Sequence, residues 1–194
     1  WTLLIVRELL ITTQRRYSDL RRSLPGVAQN LLAQRLRDLE AHGIIRRETA
    51  TPPATGTVYA LTDRGRGLEG VIRELMRWGA PGVAAAPQNA LFQMHWLSMP
   101  AKALTRDSAP ADPPVIVRFG DPSDGFDLTA QAGSIAVTPC QSTNSPDAIV
   151  QGPGQVLVGV LQGAIGLSAA QLMGVTVQGS IDALTRVLPV NEGQ

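Results

Sequence analysis

The sequence predicts an α+β protein in two parts, and three observations lead there. Helical periodicity with a single hairpin signal fills residues 1–79, while short strand-like segments separated by turn residues fill residues 88–190. Charge divides at the same place. Residues 1–79 hold 13 arginines, no lysine and 8 acids, a net of +5, whereas residues 80–194 hold 4 bases and 8 acids, a net of −4. Between the two parts, Gly79-Ala-Pro-Gly-Val-Ala-Ala-Ala-Pro87 is small and punctuated by proline, which reads as a linker over 80–87. The whole-chain charge of +1 hides this asymmetry, and a basic, arginine-only part suits a polyanion.

The 194 residues suffice for a core in each part, and 44% hydrophobic with 17% charged residues is the range of a soluble globular protein. No apolar run approaches the roughly 18 residues of a membrane span, so no membrane partner is expected. Cys140 is the single cysteine, which excludes an internal disulfide or a thiolate cluster within one chain. With only His42 and His95 besides, neither a metal nor a cofactor is expected. The sequence opens on Trp1 inside an apolar helical pattern, so a preceding stretch is expected in the native chain. A bacterial-type cytoplasm is the expected location.

In the first part, Trp1–Leu10 has helical spacing. Ser18 reads as an N-cap for a helix over Asp19–Leu24 that Pro25-Gly26 stops. A third helix covers Ala28–His42 and ends at Gly43. Its Leu32, Leu36 and Leu39 recur at i, i+4, i+7 and define a buried stripe. Ile44–Glu48 and Thr57–Leu61 read as strands joined by a long tip, Thr49–Gly56. A last helix, capped by Thr62, carries Leu68, Val71, Ile72, Leu75 and Trp78 along one face.

Helix, short helix, turn, longer helix, hairpin, helix is the order of a winged helix-turn-helix, in which the longer helix enters the major groove. With the leucine stripe inward, Asn30, Gln34 and Arg37 face outward and Gln29 lies at the first turn. Asn and Gln can pair bidentately with adenine, and Arg with guanine, so these four are the candidate base contacts. The pairs Arg15-Arg16, Arg21-Arg22 and Arg46-Arg47 flank that helix. Arg15, Arg16, Ser18, Arg22, Arg46 and Arg47 are the candidate phosphate contacts. The stripe Leu68, Val71, Ile72, Leu75 and Trp78 fits either a dimer interface or packing within the chain.

Trp1-Thr-Leu-Leu-Ile-Val-Arg-Glu-Leu-Leu10 and Arg16-Tyr-Ser-Asp-Leu-Arg-Arg-Ser-Leu-Pro-Gly26 resemble the HxlR-type, MarR-related bacterial transcription regulators. So do Leu32-Ala-Gln-Arg-Leu-Arg-Asp-Leu-Glu-Ala-His-Gly43 and Val58-Tyr-Ala-Leu-Thr-Asp-Arg-Gly65. The resemblance implies a homodimer on a pseudo-palindromic operator of double-stranded DNA, with 28–42 as recognition helix and the stripe over 68–78 in the dimer interface. Two departures stand out: Ala28 replaces the capping Ser or Asn frequent in the family, and the wing tip 51–57 has no arginine.

The second part starts with an apolar helix, Ala90–Met99, expected to stop near Pro100. Strands follow at Val115–Phe119, Phe126–Gln131, Ser134–Thr138 and Ala148–Gln151. The stretch Asp121-Pro-Ser-Asp-Gly125 is a turn between the first two. Gln155–Leu161 and Ser168–Met173 read as short helices, Val175–Gly179 as a strand, and Ser180 as the cap of a helix to Leu188. This is an α+β domain with a mostly antiparallel sheet. The order, with Pro146–Ile149, Val156–Gly163 and Gly174–Leu184, resembles sterol-carrier-protein-2-like (SCP2-like) domains. That resemblance implies an apolar ligand pocket, for which Leu91, Phe92, Met94, Trp96, Met99, Leu157, Leu161 and Met173 are the candidate lining.

No catalytic constellation is legible. Cys140 has no base near it in sequence, His42 suits a helix end, and Gly152-Pro-Gly154 lacks the Lys-Ser/Thr of a phosphate loop. The expectation is therefore a non-enzymatic, dimeric DNA-binding regulator modulated by a small apolar effector. The alternatives are a carrier of apolar molecules whose winged domain makes protein contacts, and a regulator whose second domain only dimerises.

Overall fold

The computed structural model describes residues 1–50, 55–84, 92–140 and 145–189, excluding the side chains of 80, 81 and 84. It divides into two compact units, Trp1–Arg77 and Trp78–Gln194.

In the first unit, α1 (Thr2–Ile11) precedes a two-residue strand β1 (Arg15–Arg16), α2 (Tyr17–Ser23) and α3 (Gln29–Ala41). Then come β2 (Ile45–Thr49), β3 (Thr57–Leu61), a single turn α4 (Asp63–Arg66) and α5 (Glu69–Ala84), of which the residues up to Arg77 belong to this unit. The strands form an antiparallel sheet in the order β1-β3-β2. Its core gathers Ile5, Val6 and Leu9 of α1, Leu20 of α2, and Leu32, Leu36 and Leu39 of α3, with Ile45, Val58, Leu61 and Ile72. At about 25 cal/mol per Å² of buried apolar surface, these side chains hold the helix-turn-helix against the hairpin.

Several local expectations change. Ser18 lies inside α2; Arg16 is the N-cap residue, and the Asp19 carboxylate accepts its backbone N–H at 3.2 Å. Strand β1 is too short to show a period, and it exists because Arg15 and Arg16 pair with Tyr59 and Val58. The helix expected from Thr62 is broken in two, and its continuation α5 reaches Ala84, across the first residues of the expected linker 80–87. Most of the wing tip, 51–54, lies outside the described residues, as do 85–87.

Thr62 caps α4 and locks it to the hairpin. Its hydroxyl donates to the Gly43 carbonyl at 2.7 Å and accepts from the Gly65 N–H at 3.1 Å. Gly65 has a steric reason for its identity, since a Cβ there would stand 2.1 Å from the Ile44 carbonyl oxygen.

The second unit opens with a 3₁₀ turn (Met94–Leu97) and α6 (Ser98–Leu104). Pro100 does not stop this helix; it sits in the first turn of α6, where its missing N–H has no partner to lose. After α6 come β4 (Val115–Phe119), β5 (Phe126–Gln131), β6 (Ser134–Pro139), β7 (Ala148–Gln151), α7 (Gly154–Leu161), α8 (Leu167–Leu172), β8 (Thr176–Gly179) and α9 (Ile181–Val187). The sheet order is β6-β5-β4-β7-β8, antiparallel except for the β4–β7 pair. Phe119 and Phe126 stack at 5.3 Å in a core shared with Leu97, Leu128, Leu157, Leu161 and Leu184.

Two ion pairs fix this unit. Arg118 of β4 and Asp127 of β5 are direct cross-strand partners, joined by two hydrogen bonds of 2.7 and 2.9 Å. Arg186 of α9 meets Asp107 at 2.7 Å and donates to the Pro113 carbonyl at 2.6 Å, tying the last helix to the loop before β4. The Arg186 guanidinium holds the Asp107 carboxyl down at about 2. A depressed carboxylate stabilises the fold fully above its ordinary value of 3.8, and that contribution disappears as pH falls to about 2. Asp107→Asn should therefore lower the melting midpoint at neutral pH, with the gap to the unsubstituted protein closing between pH 4 and 2 in a thermal-melt series.

Candidate nucleic-acid interface

Helix α3 buries Leu32, Leu36 and Leu39 and leaves Gln29, Asn30, Gln34 and Arg37 exposed. Its start has no side-chain cap, because Ala28 offers none. The Tyr17 hydroxyl donates to the Gln29 carbonyl at 2.9 Å, so the first turn of α3 is tethered to the start of α2. Asn30 Oδ1 accepts the Leu31 N–H at 2.9 Å, which engages one half of the amide that adenine recognition uses. At the far end His42 Nδ1 donates to the Asp38 carbonyl at 2.6 Å and closes the helix.

The arginines of the unit sort into two sets. All eight carboxylates of residues 1–79 meet a guanidinium. Glu8, fully buried in α1, takes two, Arg7 at 2.7 Å and Arg15 at 3.3 Å. Arg15 also donates to Thr12 Oγ1 at 3.0 Å, so a phosphate would have to compete with two partners inside the unit, unlike at its neighbour Arg16. Arg46 pairs with Glu48 and donates to the Leu61 carbonyl at 2.9 Å, holding the Glu48 carboxyl below its ordinary range. Arg47 pairs with Glu40 at 3.0 Å and sits 5.8 Å from the Tyr59 ring. Arg22 is strongly exposed and only 3.8 Å from Asp19. Four exposed arginines, Arg16, Arg21, Arg37 and Arg64, have no carboxylate partner among the described residues. Arg64 has no signal in the sequence, since only the assignment of every acid to another arginine isolates it. Ser18 is exposed beside this set.

The apolar stripe of α5 also divides. Val71, Leu75 and Trp78 are exposed, Trp78 by 84%. Ile72 is buried in the core of its own unit and Leu68 is half-buried, so the expected five-residue face is three residues wide. At 100° per residue the stripe spans about 120°, with Ile72 at one margin and Trp78 at the other, and the unit's core takes up the Ile72 margin. Helix α1 presents Leu3 and Leu4, with Trp1 before it, to solvent as well.

In the second unit only part of the expected pocket set comes together, Phe92 and Met94 packing against the core cluster that holds Leu157 and Leu161. Leu91 lies outside the described residues. Leu157 and Leu161 are fully buried in the core beneath the sheet, while Met173 is on the surface. Met99 is half-buried, and Trp96 packs edge-on to Phe92 at 5.9 Å. Phe92 and Met94 do line an open cavity of about 290 Å³, with Asp121, Asp124, Gln151 and three glycines. Asp124 accepts the Met94 N–H at 2.6 Å and bonds His95 Nδ1, while Asp121 accepts the Ser123 N–H at 2.7 Å. This cavity is thus walled by two apolar side chains on a polar, acidic loop. Periodicity missed it because the carboxylates come from the 121–125 turn. Burial beside Asp127 pushes the Cys140 thiol up to about 12, which keeps it protonated at neutral pH.

Residues 1–85 match the HxlR-like helix-turn-helix family. Among curated relatives from Bacillus subtilis (strain 168), the uncharacterized HTH-type transcriptional regulator YvaP is 33% identical over 78 residues, 40% of this chain and 71% of that protein. YdzF, named in the same way, is 33% identical over 41% of this chain and 72% of its own length. The HTH-type transcriptional regulator YodB is 30% identical over 40% and 69%. The structure of the reduced form of YodB aligns with 41% of this chain and 76% of that one, at 29% identity and a TM-score of 0.37. Residues 86–194 lie beyond the family match. With the helix-turn-helix, its hairpin and the exposed face of α3 built from the matched residues, the chain belongs to the HxlR-like helix-turn-helix family of transcriptional regulators.

Proposed function

We propose that this regulator binds a pseudo-palindromic operator as a homodimer, reading bases with Gln29, Asn30, Gln34 and Arg37 of α3. The observation that carries the reading is a set of exposed arginines with no carboxylate partner among the described residues: Arg37 of α3 can reach a base, and Arg16, Arg21 and Arg64 can meet phosphates, without breaking an ion pair. Arg22, Arg46 and Arg47 join them only at the expense of Asp19, Glu48 and Glu40. The dimer contact we assign to Val71, Leu75 and Trp78 of α5 with Leu3 and Leu4 of α1, exposed apolar positions that a second copy would cover.

For the second unit we propose an SCP2-like fold with a small effector in the cavity beside Phe92 and Met94. Its mostly antiparallel sheet and helix order support that assignment. An effector changes DNA affinity only to the extent that it binds two dimer geometries differently. The regulator reading rather than a carrier follows from the arginine set, which a carrier has no use for.

Three outcomes test the proposal in fluorescence anisotropy and sedimentation of the full chain with its upstream DNA. Gln34→Ala and Arg37→Ala should each reduce the preference for operator over scrambled DNA, by about 1–3 kcal/mol where the contact is bidentate. Unchanged preference in both removes α3 from base reading. Arg16→Ala with Arg21→Ala should flatten the slope of log K against log salt by about 0.9 per lost contact, more than Arg46→Ala with Arg47→Ala does. Equal effects of the two pairs would refute the division of the arginines. Val71→Asp should shift the sedimentation coefficient from dimer to monomer at constant helicity, and a dimer that persists would move the interface elsewhere.

A further inference from the structure

Helix α3 is well held at its C-terminal end. There Glu40 pairs with Arg47 of β2 at 3.0 Å, and the Ile44 N–H just beyond donates to the Leu39 carbonyl at 2.9 Å. The first turn has less to hold it. Ala28 supplies no side-chain cap, and Asn30 Oδ1 turns back on the Leu31 N–H at 2.9 Å. The N–H groups of a first turn have no partner within their own helix, so an uncapped turn frays. Buried Leu20, Leu32 and Leu36 form the inner faces of α2 and α3, but apolar contact is not directional and leaves the outer ends of the two helices free to shift.

Tyr17 supplies the missing direction. Its side chain is half-buried, and as first residue of α2 it donates its hydroxyl hydrogen to the carbonyl of Gln29, first residue of α3, at 2.9 Å. Tyr17 is in turn anchored by its neighbours: Arg16 pairs with Val58 of β3, and the Asp19 carboxylate accepts the Arg16 N–H at 3.2 Å. Arg21 lies about one turn further along α2, on the same face as Tyr17. One hydroxyl thus joins the segment that carries the exposed Arg16 and Arg21 to the turn that carries Gln29 and Asn30.

We infer that Tyr17 is a positioning residue for base reading: its hydroxyl sets the first turn of α3 against the arginines of α2, so that Gln29 and Asn30 meet base edges in the register that the phosphate contacts impose. The inference rests on the reading of α3 as the base-contacting helix, and adds a residue that acts through that helix. A loosened first turn still reaches DNA, since attraction to phosphates carries no sequence information. What it loses is the alignment of amide with base edge on which bidentate recognition depends. Gln34 and Arg37 lie nearer the end that Glu40 and Arg47 hold, so the tether does not govern them.

Fluorescence anisotropy of the full chain carrying Tyr17→Phe, on operator and scrambled DNA over a salt series, tests this. Phenylalanine keeps the ring and removes the donor. The preference for operator should fall roughly threefold to tenfold, the worth of one neutral hydrogen bond, while affinity for scrambled DNA and the salt slope stay as they are. With Gln29→Ala and Asn30→Ala already present, adding Tyr17→Phe should cost no further preference; with Arg37→Ala present it should cost the full amount. A merely structural defect lowers preference alike in both backgrounds. The inference is overturned by an unchanged preference, by equal losses on the two DNAs (the hydroxyl then meeting a phosphate itself), or by the same loss in both backgrounds. Gln34→Ala and Arg37→Ala separate this failure from failure of the base reading. Preference lost in them but not in Tyr17→Phe overturns the inference alone, and preference unchanged in all three overturns both.

Discussion

Both units are organised by a carboxylate taken out of water and met by arginine. In the first, Glu8 of α1 is fully buried and receives Arg7 from its own helix and Arg15 from β1. Desolvating such a group costs several kcal/mol, and the pair returns that only where the geometry is right, so its main effect is positional. Arg15 can reach Glu8 only if β1 lies beside β3, and α2 begins at the very next residues. The entry to the helix-turn-helix is thereby set by a charge pair within the core. In the second unit Arg118 and Asp127 do the same for strand register: slipping β4 by one residue against β5 would bury an unpaired charge on each strand.

The same bookkeeping of charge separates structure from recognition in the first unit. A surplus of arginine over acid says that basic groups are left over without saying which. Salt bridges close around the acids that folding brings near, including Glu40 of α3 with Arg47 of β2. What remains after every acid is matched is a small exposed set that includes Arg37 on the face of α3 opposite the leucine stripe. A guanidinium without a carboxylate loses little when it meets a phosphate, whereas a paired one must first release its partner.

The second unit follows a different economy of residues. Helix α7 is buried over all of its apolar length, Val156 to Leu161, which makes it core material. Its cavity instead forms where Phe92 lies against Gly154, whose missing side chain leaves space for the ring. The charge-free stretch that supplies α7, α8 and β8 also leaves an edge strand without electrostatic protection.

Much of the local structure was legible in the amino-acid order. The leucine stripe of α3, Gly43 after it, the Thr62 and Ser180 caps and the 121–125 turn are all decided by short-range rules of periodicity, capping and turn chemistry. Outward placement of Asn30, Gln34 and Arg37 follows from the same 100° winding, and Gln29 is exposed because it opens the first turn. Other features were decided only by the tertiary fold, because they depend on groups far apart in the chain. Strand β1 exists through its pairing with β3, and Arg15 is removed from the surface by Glu8. Ile72 turns inward to a core assembled from other helices, while Val71, Leu75 and Trp78 on the same apolar stripe stay outside. Hydrophobicity alone marks a residue for burial somewhere; which of them finds a core, and which is left for a partner, is settled by what the rest of the chain packs against it.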